Sequence, residues 1–162
     1  MAIDNSKIIY LHGSDSNSRS GKAQHFAQRF AGMVTPDFTG SFEERMKQLS
    51  SILSDATDWT IIGSSYGGLM GAEFALNHPE QVRKLVLLAP ALTLDPFASR
   101  TDLKPVSVPT VIVHGTQDDV VPLKPVRALA EKVFTNLTYF MVEDGHRLHK
   151  ALQELDWEKI LE

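Results

Sequence analysis

The stretch Trp59–Phe74, "WTIIGSSYGGLMGAEF", changes from a strand pattern to a helix pattern within a few residues. Of its two adjacent serines, only Ser65 has a glycine two residues before it and two residues after it, at Gly63 and Gly67. This Gly-x-Ser-x-Gly pattern is typical of a sharp strand-to-helix turn, which holds the central serine in an unfavourable backbone conformation with its hydroxyl away from the sheet. Larger side chains at either glycine would collide across so tight a turn. The stretch therefore predicts a strand–turn–helix unit with Ser65 at its apex and Ser64 as a structural neighbour.

Short strand-like runs alternate with segments of helical period along the rest of the chain. The strand-like runs are KIIYL (7–11), MVTPDF (33–38, weakened by its proline), WTIIG (59–63), VRKLVLLAP (82–90), TVIVHG (110–115) and LTYFMV (137–142). Helices are expected over residues 20–32, 41–54, about 67–77, 122–134 and 147–162. This alternation predicts an α/β fold, a three-layer α/β/α sandwich with a central, mostly parallel sheet of about six strands.

Length and composition are those of an ordinary globular domain. The 162 residues include 43% apolar and 22% charged side chains, and the formal net charge of −4 gives no reason to expect nucleic acid as a partner. Cysteine is absent, which excludes disulfides, thiolate metal sites and a cysteine nucleophile. Neither a signal-peptide pattern nor an apolar run near the ~18 residues of a membrane span is present. We therefore expect one domain over residues 1–162, without a membrane span, in the cytoplasm.

Residues able to carry out chemistry follow three of the predicted strands. In an open parallel sheet, sites form at the carboxyl ends of the strands. Ser65 follows the third strand, Asp118 and Asp119 follow the fifth, and His146 follows the sixth. A serine nucleophile needs a base, and the base needs an orienting carboxylate. We expect Ser65 as nucleophile and His146 as base, with His149 as the less favoured base. Asp118 is expected to be the acid, with Asp119 as the alternative.

Attack by a serine produces an oxyanion, which needs two N–H donors. The N–H of Tyr66, directly after the nucleophile, would supply one, and the loop after the first strand would supply the other at Ser14. His12 and His114 close strands and are expected to bond loop backbone. No histidine and carboxylate cluster has the spacing of a metal site, so the sequence indicates neither a metal nor another cofactor.

The segment Ala91–Val108 has no clear secondary structure and contains two prolines. Irregular segments of this length are often lids or binding loops. Its apolar residues Leu92, Leu94 and Phe97 either line an acyl pocket or pack the segment onto the body of the protein. The sequence leaves these two alternatives open.

Four segments together resemble the α/β-hydrolase superfamily, in the family's order and in register with the strands. They are "LHGSDS" (11–16), "GSSYGG" (63–68), "HGTQDDVVP" (114–122) and "DGHRL" (144–148). The resemblance implies Ser65 as nucleophile and His146 as base. It implies Asp118 as the acid, because the family's acid is the fourth residue after the histidine of the third segment. It also implies oxyanion donors at Tyr66 and Ser14.

The resemblance implies a minimal, lidless member similar to short bacterial serine esterases, without the family's usual first two strands or a cap domain. The expected activity is hydrolysis of a small-molecule carboxylic ester or thioester through an acyl-enzyme. Acyl transfer, perhydrolysis or C–C bond hydrolysis on the same triad are alternatives, because the fold does not determine the reaction. A non-catalytic binding module is another. The oligomeric state stays open.

Overall fold

The β-branched runs form a five-stranded parallel sheet in the computed structural model, which describes residues 2–162. The strands are β1 (Ile8–Leu11), β2 (Trp59–Ser64), β3 (Val82–Leu88), β4 (Thr110–Gly115) and β5 (Leu137–Val142). They lie side by side in the order β1-β2-β3-β4-β5, and every neighbouring pair is parallel. β1, β2 and β4 are buried along their whole length, as expected for parallel strands covered on both faces, whereas β5 is a partly exposed edge strand.

The predicted strand at residues 33–38 is reduced to a single bridge beside β1. The N–H of Val34 donates to the carbonyl of Ile8 at 2.8 Å, and its own carbonyl accepts from the N–H of Tyr10 at 2.9 Å. Pro36 follows two residues later and has no N–H with which to continue the ladder. The sheet therefore has five strands rather than six, with this bridge extending it by one position.

Six α-helices connect and flank the strands in residues 2–162. They are α1 (Gly21–Arg29), α2 (Phe42–Leu53), α3 (Tyr66–Asn77), α4 (Leu123–Val133), α5 (His149–Glu154) and α6 (Trp157–Leu161). The last predicted helix is divided in two, because Leu155 is extended and the Asp156 side chain accepts from the N–H of Lys159 to begin α6. None of the helices in this part of the chain combines the length and apolarity needed to cross a membrane.

The core lies in two layers, one on each face of the sheet. On one face, Ile9, Leu11 and Ile61 pack with buried residues of α2, α3 and α4. On the other face, Ile8 and Ile62 pack with α1, α5 and α6. This alternation of side chains across the strands confirms the predicted three-layer α/β/α sandwich.

The segment between β3 and β4 is irregular but well packed. Leu92 and Phe97 are fully buried in the core, whereas Leu94 is exposed. The Arg100 guanidinium pairs with the carboxylate of Glu73 in α3. Leu92 and Phe97 therefore pack the segment onto the body of the protein, which is the second of the two alternatives that the sequence left open.

Candidate active site

Ser65 lies at the turn between β2 and α3, and its backbone is strained. Its φ of 55° and ψ of −111° fall in a region that residues other than glycine rarely adopt. Two hydrogen bonds hold it there. Its N–H donates to the carbonyl of Leu88 at 2.9 Å, and its carbonyl accepts from the N–H of Ala91 at 3.0 Å. The strained turn that the sequence predicted is therefore present at the predicted serine.

The glycines around Ser65 allow close backbone contacts. A methyl group at Gly63 would overlap the carbonyl of Gly67, which is the predicted collision across the turn. A methyl group at Gly67 would instead overlap the carbonyl of Leu11 at the end of β1. The second glycine is thus required because the start of α3 packs against a neighbouring strand.

The two predicted oxyanion donors lie on segments next to this turn. Tyr66 begins α3, so its N–H has no acceptor within the helix. The loop after β1 approaches Ser65 closely, since a methyl group built at Gly13 would lie 3.8 Å from Ser65 Cβ. Within residues 2–162, the backbone N–H groups of Tyr66 and Ser14 have no hydrogen-bond acceptor. Both are therefore free to donate to a ligand.

Arg45 in α2 contacts both of these residues. Its Nη2 donates to the carbonyl of Ser14 at 3.2 Å, and its Nε donates to the carbonyl of Gly40 at 3.2 Å. Its guanidinium lies 5.4 Å from the centroid of the Tyr66 ring. Arg45 was not predicted as a site residue from the sequence. The available signal was a cation, Arg45, on the apolar stripe of an amphipathic helix, where it lies three residues after the partly buried Phe42.

Asp118 and His146 are brought together. Asp118 Oδ1 accepts from the backbone N–H groups of Val120 at 2.9 Å and Val121 at 2.8 Å, and Oδ2 lies 2.8 Å from His146 Nδ1. Burial alone would raise the pKa of Asp118, but the Val121 N–H, His146 and the Val120 N–H together hold that pKa below its usual value. Asp118 is therefore an ionised, fixed partner of the imidazole. Asp119 is exposed, so the geometry favours Asp118 of the two candidates.

Two buried histidines have structural hydrogen bonds, as predicted. His114 Nε2 lies 3.1 Å from the carbonyl of Val121, and its Nδ1 lies 2.8 Å from the Tyr139 hydroxyl. Burial is the main cause that lowers the pKa of His114, which keeps the ring neutral. His12 Nδ1 lies 2.7 Å from the carbonyl of Gly13, which orients the loop after β1.

Asp144 fixes the loop that carries His146. Its Oδ1 accepts from the N–H of Gly145 at 2.9 Å, and its Oδ2 accepts from the N–H groups of Lys150 at 2.9 Å and Ala151 at 3.0 Å. The carboxylate thus caps the first turn of α5 and closes the loop between β5 and that helix. This role was also missed, although an acid shortly before a predicted helix is a known capping signal.

Ser65 and His146 line the same cavity of about 560 Å³ at the carboxyl ends of the strands. Its lining residues are Tyr10, Gly13, Ser14, Asp15, Ser16, Ser20, Gly21, Lys22, Ser64, Ser65, Val120, His146, Arg147, His149 and Leu152. In the described part of the chain, Ser65 Oγ has no hydrogen bond to His146, and catalytic bonds are often longer before substrate binds. No group of three or more potential metal ligands occurs in residues 2–162.

A protein-family model described as "Alpha/beta hydrolase family" matches residues 42–151, which is more than half of the chain. This chain belongs to the alpha/beta hydrolase family. This membership confirms the resemblance found in the sequence.

Solved structures agree with this assignment. A protein of the alpha/beta hydrolase superfamily from Xanthomonas campestris is 29% identical, with a TM-score of 0.74 over 90% of each chain. An alpha-beta serine hydrolase homologue from Coxiella burnetii is 20% identical, with a TM-score of 0.75 over 99% of this chain and 85% of that one. At that identity the second likeness shows the fold alone.

Matches to curated proteins are partial. A "Probable 1-acylglycerol-3-phosphate O-acyltransferase" from Oryza sativa subsp. japonica is 39% identical over 87 residues, 45% of this chain and 18% of that protein. An uncharacterized protein from Mycobacterium tuberculosis is 31% identical over 98 residues, 51% of this chain and 28% of that protein. The chain thus spans less than a third of the length of these relatives.

Proposed function

We propose that residues 1–162 form one serine hydrolase domain that cleaves carboxylic esters or thioesters through an acyl-enzyme on Ser65. One observation carries the proposal: the 2.8 Å contact between the buried Asp118 carboxylate and His146 Nδ1, on the cavity that Ser65 lines. An ionised acid on one ring nitrogen leaves the other nitrogen, Nε2, as a base. The strained backbone of Ser65 supports its role as nucleophile.

The reaction follows from these groups. Nε2 of His146 takes the proton of the Ser65 hydroxyl as Oγ bonds to the carbonyl carbon. The N–H groups of Tyr66 and Ser14 stabilise the resulting oxyanion. The intermediate then expels the alcohol or thiol, which receives the proton from His146. Water, deprotonated by the same nitrogen, attacks the acyl-enzyme, releases the carboxylic acid and restores the serine, while Asp118 stabilises the imidazolium in both halves.

Labelling with a fluorophosphonate tests the nucleophile. We expect the probe to label the wild-type protein at Ser65 and to lose its target in Ser65→Ala. The neighbouring Ser64→Ala, which removes a buried hydroxyl of β2, is the matched control and should keep the label. Labelling at another residue, or unchanged esterase activity in Ser65→Ala, would overturn the proposal. Absence of labelling and of ester cleavage in the wild type would favour a binding module.

Acyl transfer is the second candidate function. The name of the Oryza relative, a probable O-acyltransferase that is 39% identical over 87 residues, favours it. The same acyl-enzyme would then pass its acyl group to an alcohol rather than to water. Product analysis with p-nitrophenyl acetate, in the presence and absence of a short-chain alcohol, separates the two: a transferase forms mainly the new ester and a hydrolase forms mainly the acid.

A further inference from the structure

The cavity beside Ser65 is lined mainly by polar and charged side chains. Within the described chain, Val120 and Leu152 are its only aliphatic lining residues. Sites for apolar ligands are lined predominantly by hydrophobic and aromatic side chains. The buried Leu92 and Phe97, for which an acyl pocket was one of the two alternatives left open by the sequence, are not part of this lining. The cavity therefore has few of the side chains that typically bind a long hydrocarbon chain.

Two cationic side chains line the cavity, Lys22 in the first turn of α1 and Arg147 directly after the predicted base. Lys22 is half-buried and Arg147 is exposed. In residues 2–162, neither has a carboxylate within 4.0 Å, although Asp15 also lines the cavity. Folding therefore leaves both cations without a directly paired carboxylate on the cavity that Ser65 also lines.

The environment of Lys22 is unfavourable for its own charge. Burial and then repulsion by Arg147 lower the pKa of Lys22, and the attraction of Asp118 and Asp144 only partly offsets them. An anion between the partly desolvated Lys22 and the exposed Arg147 would stabilise both charges, and charge-assisted hydrogen bonds to carboxylate or phosphate are the strong ones. The cavity thus has the charge pattern of an anion-binding site.

We propose that Lys22 and Arg147 bind an anionic group of the substrate, a carboxylate or a phosphate, while Ser65 reacts with its ester or thioester bond. The proposal rests on the proposed function and narrows its substrate class to small, negatively charged esters or thioesters. It assigns Lys22 and Arg147 to specificity and gives them no part in proton transfer. Removing either should lower the cleavage of an anionic ester more than the cleavage of a neutral ester.

Matched ester pairs test this specificity. Mono-p-nitrophenyl glutarate is compared with p-nitrophenyl hexanoate, and 4-acetoxyphenyl phosphate is compared with phenyl acetate. The readout is the anionic-to-neutral ratio of kcat/KM in each pair, because comparing this ratio between variants cancels intrinsic ester reactivity. We expect Lys22→Met and Arg147→Met each to lower it about tenfold, the scale of one charge-assisted hydrogen bond. Lys22→Glu should lower it further.

Lys132→Met is the matched control, because Lys132 is an exposed residue of α4 outside the cavity. It should leave every ratio unchanged. The neutral ester reports whether each variant still folds and reacts, which matters most for Arg147→Met beside the predicted base. An unchanged ratio in all three cavity variants, with the neutral ester still cleaved, would overturn the anion proposal while the hydrolase proposal stands.

Binding to Ser65→Ala separates the two proposals further. Calorimetric titration with glutarate tests a carboxylate ligand, and titration with inorganic phosphate tests a phosphate ligand. We expect one of them to bind, and Lys22→Met in the same background to weaken that binding about tenfold, unlike Lys132→Met. If neither anion binds, the anion site is wrong whatever the activity. If an anion binds but no ester is cleaved, the hydrolase proposal fails alone.

Discussion

Replacing Asp118 with asparagine should reverse the proton assignment on His146, because of how the carboxylate is held. Oδ1 accepts from the backbone N–H groups of Val120 at 2.9 Å and Val121 at 2.8 Å. In Asp118→Asn the side-chain carbonyl oxygen must keep that place, since an amide NH₂ cannot accept hydrogen bonds. The NH₂ group then takes the place of Oδ2, 2.8 Å from His146 Nδ1. Nδ1 must accept from it, so the single ring proton moves to Nε2.

An imidazole with its proton on Nε2 cannot take the proton of Ser65. We therefore expect kcat to fall about 10⁴-fold, as a wrong-tautomer substitution does in a serine triad, which corresponds to about 5.5 kcal/mol of activation free energy. The assay is kcat on p-nitrophenyl acetate, with the fluorophosphonate labelling rate as a second measure. We expect the fold to be retained because the two backbone contacts of the side chain are kept, and circular dichroism checks this.

The neighbouring acid provides the matched control. Asp119 is exposed and has no side-chain hydrogen bond or ion pair within residues 2–162, so Asp119→Asn should keep wild-type kcat. If Asp118→Asn kept about a tenth or more of the activity, the tautomer argument would be wrong. An equal loss in both variants would instead mean that the charge of the loop matters, and not the hydrogen bond to His146.

Three further predictions concern the support of the site. Arg45→Met removes the contacts to both predicted oxyanion donors, so we expect kcat on p-nitrophenyl acetate to fall about 10- to 100-fold with little change in KM, and Arg45→Lys to be intermediate. Burial lowers the pKa of His114, so the unfolded state binds more protons, and the free energy of unfolding should decline as pH falls below about 6.5. Urea unfolding between pH 5 and 7.5 should show a smaller decline in His114→Gln. Gly67→Ala would overlap the carbonyl of Leu11 and should lower the free energy of unfolding by about 1–3 kcal/mol. Gly145→Ala, whose methyl group would meet no atom within 4 Å, should change it by less than about 0.5 kcal/mol in the same urea experiment.

The sheet and the meeting of Asp118 with His146 could be predicted because both follow from strand ends. Apolar runs mark the strands, and parallel strands place the residues after them at one edge. The strain at Ser65 could also be predicted, since its glycine neighbours are visible in the sequence. The strand predicted at residues 33–38 is only a single bridge, because one pairing residue before Pro36 cannot be told from a short strand by composition alone.

The contacts that hold the loops of the site in place could not be predicted in the same way. Arg45 contacts the carbonyl of Ser14 across 31 residues of chain, and no periodicity connects a helix to a distant loop. Asp144 bonds three N–H groups whose positions depend on where α5 begins, and the sequence placed that helix only approximately. Such contacts depend on tertiary packing, which a local pattern does not contain.

The partners of the arginine and lysine side chains near the site separate structural cations from candidate ligand-binding ones. The buried Arg45 donates from Nε and Nη2 to backbone carbonyls and lies over an aromatic ring, so the fold holds its guanidinium in place. Arg100 is paired with the carboxylate of Glu73. Lys22 and Arg147 have no such partner in the described chain, yet they face the cavity that contains Ser65. Because partial burial of an unpaired charge costs free energy, the half-buried Lys22, with Arg147 nearby, is better explained by a ligand than by stability.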